Sequence, residues 1–179
     1  MNAGENVANQ SRKFKILMVC LGNICRSPTA HGVLEKLIQN KGLSKIIEVD
    51  SAGISTYHIG DHPAQRSIVA AEGRSYSLEE QVARQVRAND FQEFDYVLAM
   101  DADNLHLLES AAPSGCKAKV QLLLSFSNDA IESVPDPYVG DAEPGFEKVL
   151  GLFEDACSVY LRSYNESCPI RRRSNSCGI

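Results

Sequence analysis

No stretch of this 179-residue sequence stays apolar for the length of a membrane span, and its opening, MNAGENVANQSRK, lacks the hydrophobic centre of a secretion signal. Asn2 breaks the myristoylation pattern, and Cys177 stands third from the end where the prenylation pattern needs the fourth. A soluble cytoplasmic protein without stable membrane insertion is the expectation. Positive charge is lacking as well: the formal net charge is −5, which argues against general nucleic-acid binding because no global field draws in phosphates. Any anion site must therefore be local. There is no internal repeat and no low-complexity segment. The six cysteines are scattered, unlike the dense framework of a small disulfide-stapled domain. Only Cys20 and Cys25 lie close together, and no second pair completes a zinc site. Reduced thiols and no metal are expected.

What is present suits one folded unit. The hydrophobic share of 44% and the charged share of 23% are ordinary for a globular chain, and a chain of this length supports one core better than two. Residues 1–12 read as a flexible N-terminal tail, and residues 167–179, with Arg171, Arg172 and Arg173, as a basic, flexible C-terminal tail. The domain is placed at 13–166.

Within it, short apolar runs alternate with helical patterns. Ile16-Leu17-Met18-Val19 is apolar throughout, as a parallel strand covered on both faces requires. Ser27-Pro28 reads as a helix start, with Ser27 as N-cap; Ala30, Val33, Leu34, Leu37 and Ile38 form its apolar face and Gly42 its stop. Further strands are predicted at Ile46–Val49, Asp95–Met100 and near Ala118–Val120. Ser51–Pro63 reads as a loop and Ala64–Glu72 as a helix, while Asp101 caps a short helix. The final helix carries Phe146, Val149, Leu150, Phe153, Cys157, Tyr160, Leu161 and Tyr164 at helical spacing. This alternation predicts an α/β fold with an open parallel sheet, whose ligands sit at the carboxyl ends of the strands. The first strand ends at Val19-Cys20.

The segment that follows, Cys20-Leu21-Gly22-Asn23-Ile24-Cys25-Arg26-Ser27-Pro28, has the parts of an anion cradle. A loop running from a buried strand into a helix N-terminus converges its N–H groups on one point, and the helix dipole adds positive potential there. Gly22 permits a tight turn, and Asn23 tolerates a left-handed backbone. Arg26 offers a planar fork for two phosphate oxygens. Cys20 at the base would be favoured as a thiolate, with Ser27 able to donate a hydrogen bond to it. That is equipment for attack by sulfur on a bound phosphate. The loop lacks the Lys-Ser/Thr ending of a nucleotide-binding P-loop, which disfavours ATP.

CLGNICRSP resembles the active-site signature of the low-molecular-weight protein tyrosine phosphatases. The resemblance continues through Val49-Asp50-Ser51-Ala52-Gly53, Ala83-Arg84-Gln85, Phe94 to Asp101, and Asp136-Pro137-Tyr138, and covers about residues 14–165. It implies a single α/β domain with a four-stranded parallel sheet flanked by helices on both faces. It also implies a cofactor-free and metal-free hydrolase acting on tyrosine-phosphorylated proteins, as a monomer or weak homodimer. Carried over residue by residue, Cys20 is the nucleophile, Arg26 binds the phosphoryl group, and Leu21, Gly22, Asn23, Ile24, Cys25 and Ser27 complete the phosphate loop. Asp136 is the general acid and then base, and burial beside the cysteine is expected to keep its carboxyl protonated until it is used. Tyr57 and Tyr138 wall the substrate cleft, and Cys25 is the redox partner of Cys20. Related protein-arginine phosphatases carry threonine where Ile24 stands, so Ile24 favours phosphotyrosine.

The chain departs from the family in two places. Gln81 occupies the position where a histidine commonly hydrogen-bonds the loop asparagine, and glutamine can still donate. Val139 replaces a frequent second tyrosine. The competing readings are a thiol-coupled arsenate reductase, which needs two further cysteines near the site, a protein-arginine phosphatase, and a non-catalytic phosphate-binding adaptor. Asp101 is read as a cap rather than a site residue.

Overall fold

The computed structural model describes residues 12–127, 130–138 and 143–167. Its centre is strand β1 (Phe14–Cys20), the apolar run of the sequence. Alternate side chains leave a strand on opposite faces, so Ile16, Met18 and Cys20 enter one core layer while Leu17 and Val19 enter the other. Ile16 to Val19 are fully buried, each contributing roughly 1.5–3 kcal/mol of apolar burial.

Four strands pair in parallel in the order β2-β1-β3-β4, with β2 at Ile47–Gly53, β3 at Tyr96–Ala99 and β4 at Lys119–Leu122. The chain steps from β1 to one side for β2 and then crosses to the other side for β3. The carboxyl end of β1 is therefore the switch point where such sheets hold ligands. Helices α1 (Arg26–Asn40) and α5 (Glu143–Ser167) cover the face carrying Ile16 and Met18. Helix α2 (Gln65–Glu72) packs on both. The short α3 (Asp90–Glu93) and α4 (Ala102–Ala111) cover the other face through Phe91 and Leu108. This is the expected single α/β domain with helices on both faces.

Several boundaries differ from the sequence reading. Strand β2 runs on through Ser51, Ala52 and Gly53, which were expected to form a loop; pairing with β1, down to Cys20 opposite Gly53, overrides the weak strand preference of Ser and Gly. Helix α1 begins at Arg26 with Cys25 as its cap residue, and Ser27 does not cap it. The first turn is tied instead by the Cys25 carbonyl, which accepts from Thr29 N at 3.2 Å and from its hydroxyl at 2.7 Å. Ser27 is thereby left for the site. Gly42 does stop the helix, with φ of +66° and its N–H on Gln39 O. The apolar positions of the final helix from Phe146 to Leu161 are buried, and Tyr164 packs against them.

Arg12, assigned from sequence to the N-terminal tail, pairs with Asp95 at 3.1 Å and donates to Glu93 O. No helix among the described residues is long and apolar enough to cross a membrane. The Arg171–Arg173 run and Val139 lie outside the described residues.

Candidate active site

The loop between β1 and α1 is shaped from below by β2 and from within by Asn23. Ile54 N donates to Cys20 O at 3.0 Å and Ser55 N to Leu21 O at 2.9 Å, which lays the loop across the end of β2. Gly53 makes that approach possible: a Cβ there would stand 3.0 Å from both Gly22 C and Leu21 O. Asn23 takes the left-handed conformation, φ 57°, and is buried. Its side chain is a three-way tie. Nδ2 donates to Ser27 Oγ and to Ser51 Oγ, each at 2.9 Å, and Oδ1 accepts from Arg84 N at 3.0 Å. Buried amides of this kind are costly unless satisfied, and satisfied ones rigidify their surroundings.

Cys20 lies at the bottom of the cradle, 3% exposed. Its sulfur is 3.1 Å from Ser27 Oγ and accepts from Asn23 N at 3.3 Å. Arg26, also buried, donates from Nη1 to Asp101 Oδ2 at 2.6 Å and to Val134 O at 3.1 Å. Asp101 caps α4 as expected, accepting from Asn104 N at 2.7 Å, and in addition holds Arg26. The sequence reading gave it the first task alone. The available signal was its position two residues past the end of β3, whose Ala99 lies opposite Val19 of β1.

A pocket of about 170 Å³ opens above the sulfur. Cys20, Arg26, Asp136, Tyr57 and Tyr138 all line it, with Leu21, Gly22, Ile24 and Cys25 of the loop. The fold thus brings residues 20, 57 and 136 to one opening. His58, which the sequence reading passed over, lines it too and pairs with Asp61 at 3.0 Å. Tyr57 is 88% exposed at the mouth, whereas Tyr138 packs its ring edge-on against Phe146 at 5.4 Å between centroids.

One expectation needs correction, and the departure at Gln81 can be placed. Asp136 is exposed rather than buried; it sits between Pro135 and Pro137 on a surface loop, where its Oδ1 accepts from Tyr138 N at 3.0 Å. Gln81 makes no direct bond to Asn23. It donates to Pro28 O at 3.1 Å and accepts from Ser51 Oγ at 3.4 Å, so Ser51, buried in the extended β2, is what reaches the asparagine.

Cys25 is a free thiol. Burial pushes it up to about 11, against contacts with Ser67 and Tyr138 that act the other way, so it is protonated at neutral pH. Among the described residues no group of His, Cys, Asp and Glu is placed to hold a metal ion.

The family model for low molecular weight phosphotyrosine protein phosphatases matches residues 15–169. The chain belongs to that family. A relative from Synechocystis, named as a low molecular weight protein-tyrosine-phosphatase, is 43% identical over 152 residues, 84% of this chain and 96% of that protein. The protein tyrosine phosphatase of Entamoeba histolytica superposes with a TM-score of 0.80 at 38% identity, covering 86% of this chain and 98% of that one. An arginine phosphatase from Drosophila gives a TM-score of 0.81 at 31% identity, covering 87% and 100%.

Proposed function

We propose that this chain hydrolyses phosphotyrosine and aryl phosphate monoesters through a phosphocysteine intermediate on Cys20. The observation that carries this is the convergence of Cys20, Arg26 and Asp136 on one pocket, with the sulfur at the base of a backbone cradle. The Cys20 sulfur attacks phosphorus, the bond to the phenolic oxygen breaks, and the Asp136 carboxyl gives that oxygen its proton. The carboxylate then takes a proton from water, whose oxygen attacks phosphorus and breaks the P–S bond, returning the thiolate. Arg26 and the loop N–H groups hold the phosphoryl oxygens throughout. Tyr57 and Tyr138 supply aromatic walls for a phenyl ring. Asp136, on the exposed rim, is covered when such a ring enters.

The other chemistries fit less well. A cysteine relay for arsenate reduction needs more thiols at the pocket; among the described residues beyond Cys20 and Cys25, Cys157 is buried in the core and Cys116 lies beyond the pocket lining. The likeness to an arginine phosphatase keeps phosphoarginine in view, and Ile24 at the pocket wall is the feature that favours phosphotyrosine. We read the protein as cytoplasmic, monomeric or weakly dimeric, and active without metal or cofactor, with Cys25 as the redox partner of Cys20.

The test is hydrolysis of an aryl phosphate without added metal. Wild type should turn over, Cys20→Ser should be inactive, and Asp136→Ala should lose roughly two orders of magnitude or more in the phosphorylation step. Turnover surviving in Cys20→Ser would overturn the mechanism. With phosphoarginine assayed beside the aryl phosphate, Ile24→Thr should move the preference toward phosphoarginine.

A further inference from the structure

The segment Ala83-Arg84-Gln85 lines no part of the pocket above Cys20, yet its main chain reaches the phosphate loop. Arg84 N donates to Asn23 Oδ1 at 3.0 Å, the one partner this oxygen has among the described residues. Holding that end of the amide fixes which way round it sits. Nδ2 is then directed at Ser27 Oγ, which accepts from it at 2.9 Å. The hydrogen of Ser27 stays free for the Cys20 sulfur at 3.1 Å or for Ala52 O at 3.3 Å. A reversed amide would present its oxygen to Ser27 and draw that hydrogen away from the sulfur.

Any residue but proline supplies a main-chain N–H, so an arginine here is accounted for by its side chain. Around Arg84 the main chain forms only an isolated bridge, Gln85 with Gly53, and loop bonds from Ala83 to Gly60 and Asp61. The guanidinium supplies the firmer anchorage. Nε and Nη2 donate to Asp50 Oδ2 at 3.1 and 2.8 Å, and Nη1 donates to Asp90 Oδ2 at 3.0 Å. Asp50 belongs to β2 and Asp90, which is buried, opens α3, so one planar fork clamps the segment between two elements. Both carboxylates are themselves oriented, Asp50 by Ser51 N and Asp90 by Arg87 N, each at 2.7 Å.

We propose that Arg84 is a positioning residue of the phosphate loop: its guanidinium, spanning Asp50 and Asp90, sets the N–H that orients the Asn23 amide and so keeps the Ser27 hydroxyl turned to the Cys20 sulfur. This role rests on the reading of Cys20 as nucleophile. Two measurements on the full chain test it, kcat on an aryl phosphate and the rate at which iodoacetamide alkylates Cys20 at neutral pH, followed by mass spectrometry. Both are taken at temperatures where every variant is folded. Arg84→Gln should lower each about tenfold, because small misplacements of reacting groups are costly. Arg84→Lys should recover little, since an ammonium is a point charge without the fork. In an Asn23→Gly background, which keeps the left-handed backbone but has no amide to orient, Arg84→Gln should lower the melting temperature and leave kcat where Asn23→Gly put it. Unchanged kcat and alkylation in Arg84→Gln, or the same further fall in kcat in both backgrounds, would overturn the proposal. Asp50→Asn, which removes one arm of the clamp, carries the same comparison if Arg84→Gln does not fold. Alkylation reads the loop without turnover, so an inactive wild type would overturn the phosphatase reading while Cys20 alkylation still decided the role of Arg84.

Discussion

Arg26 can hold an anion only if its guanidinium is aimed before the anion arrives, and Asp101 does the aiming. The pair is short and mostly sheltered, with the two side chains 9% and 23% exposed. Because Asp101 also caps α4, its two tasks separate by substitution. Asp101→Asn keeps a good capping residue and loses the charge, so it should lower the melting temperature only through the unpaired Arg26 while lowering kcat/KM by about tenfold, a loss of ~1.4 kcal/mol. Asp101→Ala removes both functions and should add about 1 kcal/mol of lost stability. Equal kinetics for wild type and Asp101→Asn would reduce Asp101 to a cap.

Asn23 shows a similar economy. One amide satisfies Ser27, Ser51 and the Arg84 N–H while its backbone holds a conformation that most residues avoid.

Among the elements, the junction of β1, β2 and the loop matters most. Gly53 lets the loop lie this close to β2, and the two nearest atoms a Cβ would meet are backbone, which gives way less easily than a side-chain end. Gly53→Ala should therefore lift the loop off the strand, costing about 1–3 kcal/mol of stability in the manner of an overpacked core. Kinetics should show a fall in kcat well beyond what that instability explains at temperatures where the variant is fully folded. An unchanged kcat would mean that the Cys20–Gly53 register does not shape the cradle.

For the molecule as a whole, Asp95 is a tie between distant parts. It accepts from Lys15 N in β1 and pairs with Arg12 and Lys117. Burial alone would raise this carboxyl, but the bonds to Lys117, Lys15 and Arg12 outweigh it and hold it below the ordinary value. A carboxylate depressed in the folded state contributes stability that is complete above its unfolded value of about 3.9 and is lost as pH falls through the folded value. Thermal unfolding followed from pH 7 down to pH 3 should show this loss in wild type. The Asp95→Asn variant should melt roughly 2–5 °C lower at pH 7 and show a shallower fall on acidification. Parallel curves for the two proteins would remove Asp95 from the acid response.

The sequence by itself determined what depends on local chemistry and pattern. The uniformly apolar run of β1, the glycine stop of α1 and the helical spacing from Phe146 to Tyr164 specify elements, because burial and backbone preference act over a few residues. The run from Cys20 to Ser27 is a site for the same reason, since its nucleophile, turn residues and guanidinium lie within a single loop. Tertiary structure alone decided what depends on pairing across the chain. Ser51 to Gly53 became strand because β1 offered partners, Ser51 rather than Gln81 came to support Asn23, and Asp101 met Arg26 across the sheet. Asp136 stands exposed at the rim for a reason no local pattern contains: its surroundings belong to segments far away in sequence, and only their packing sets how much water reaches it.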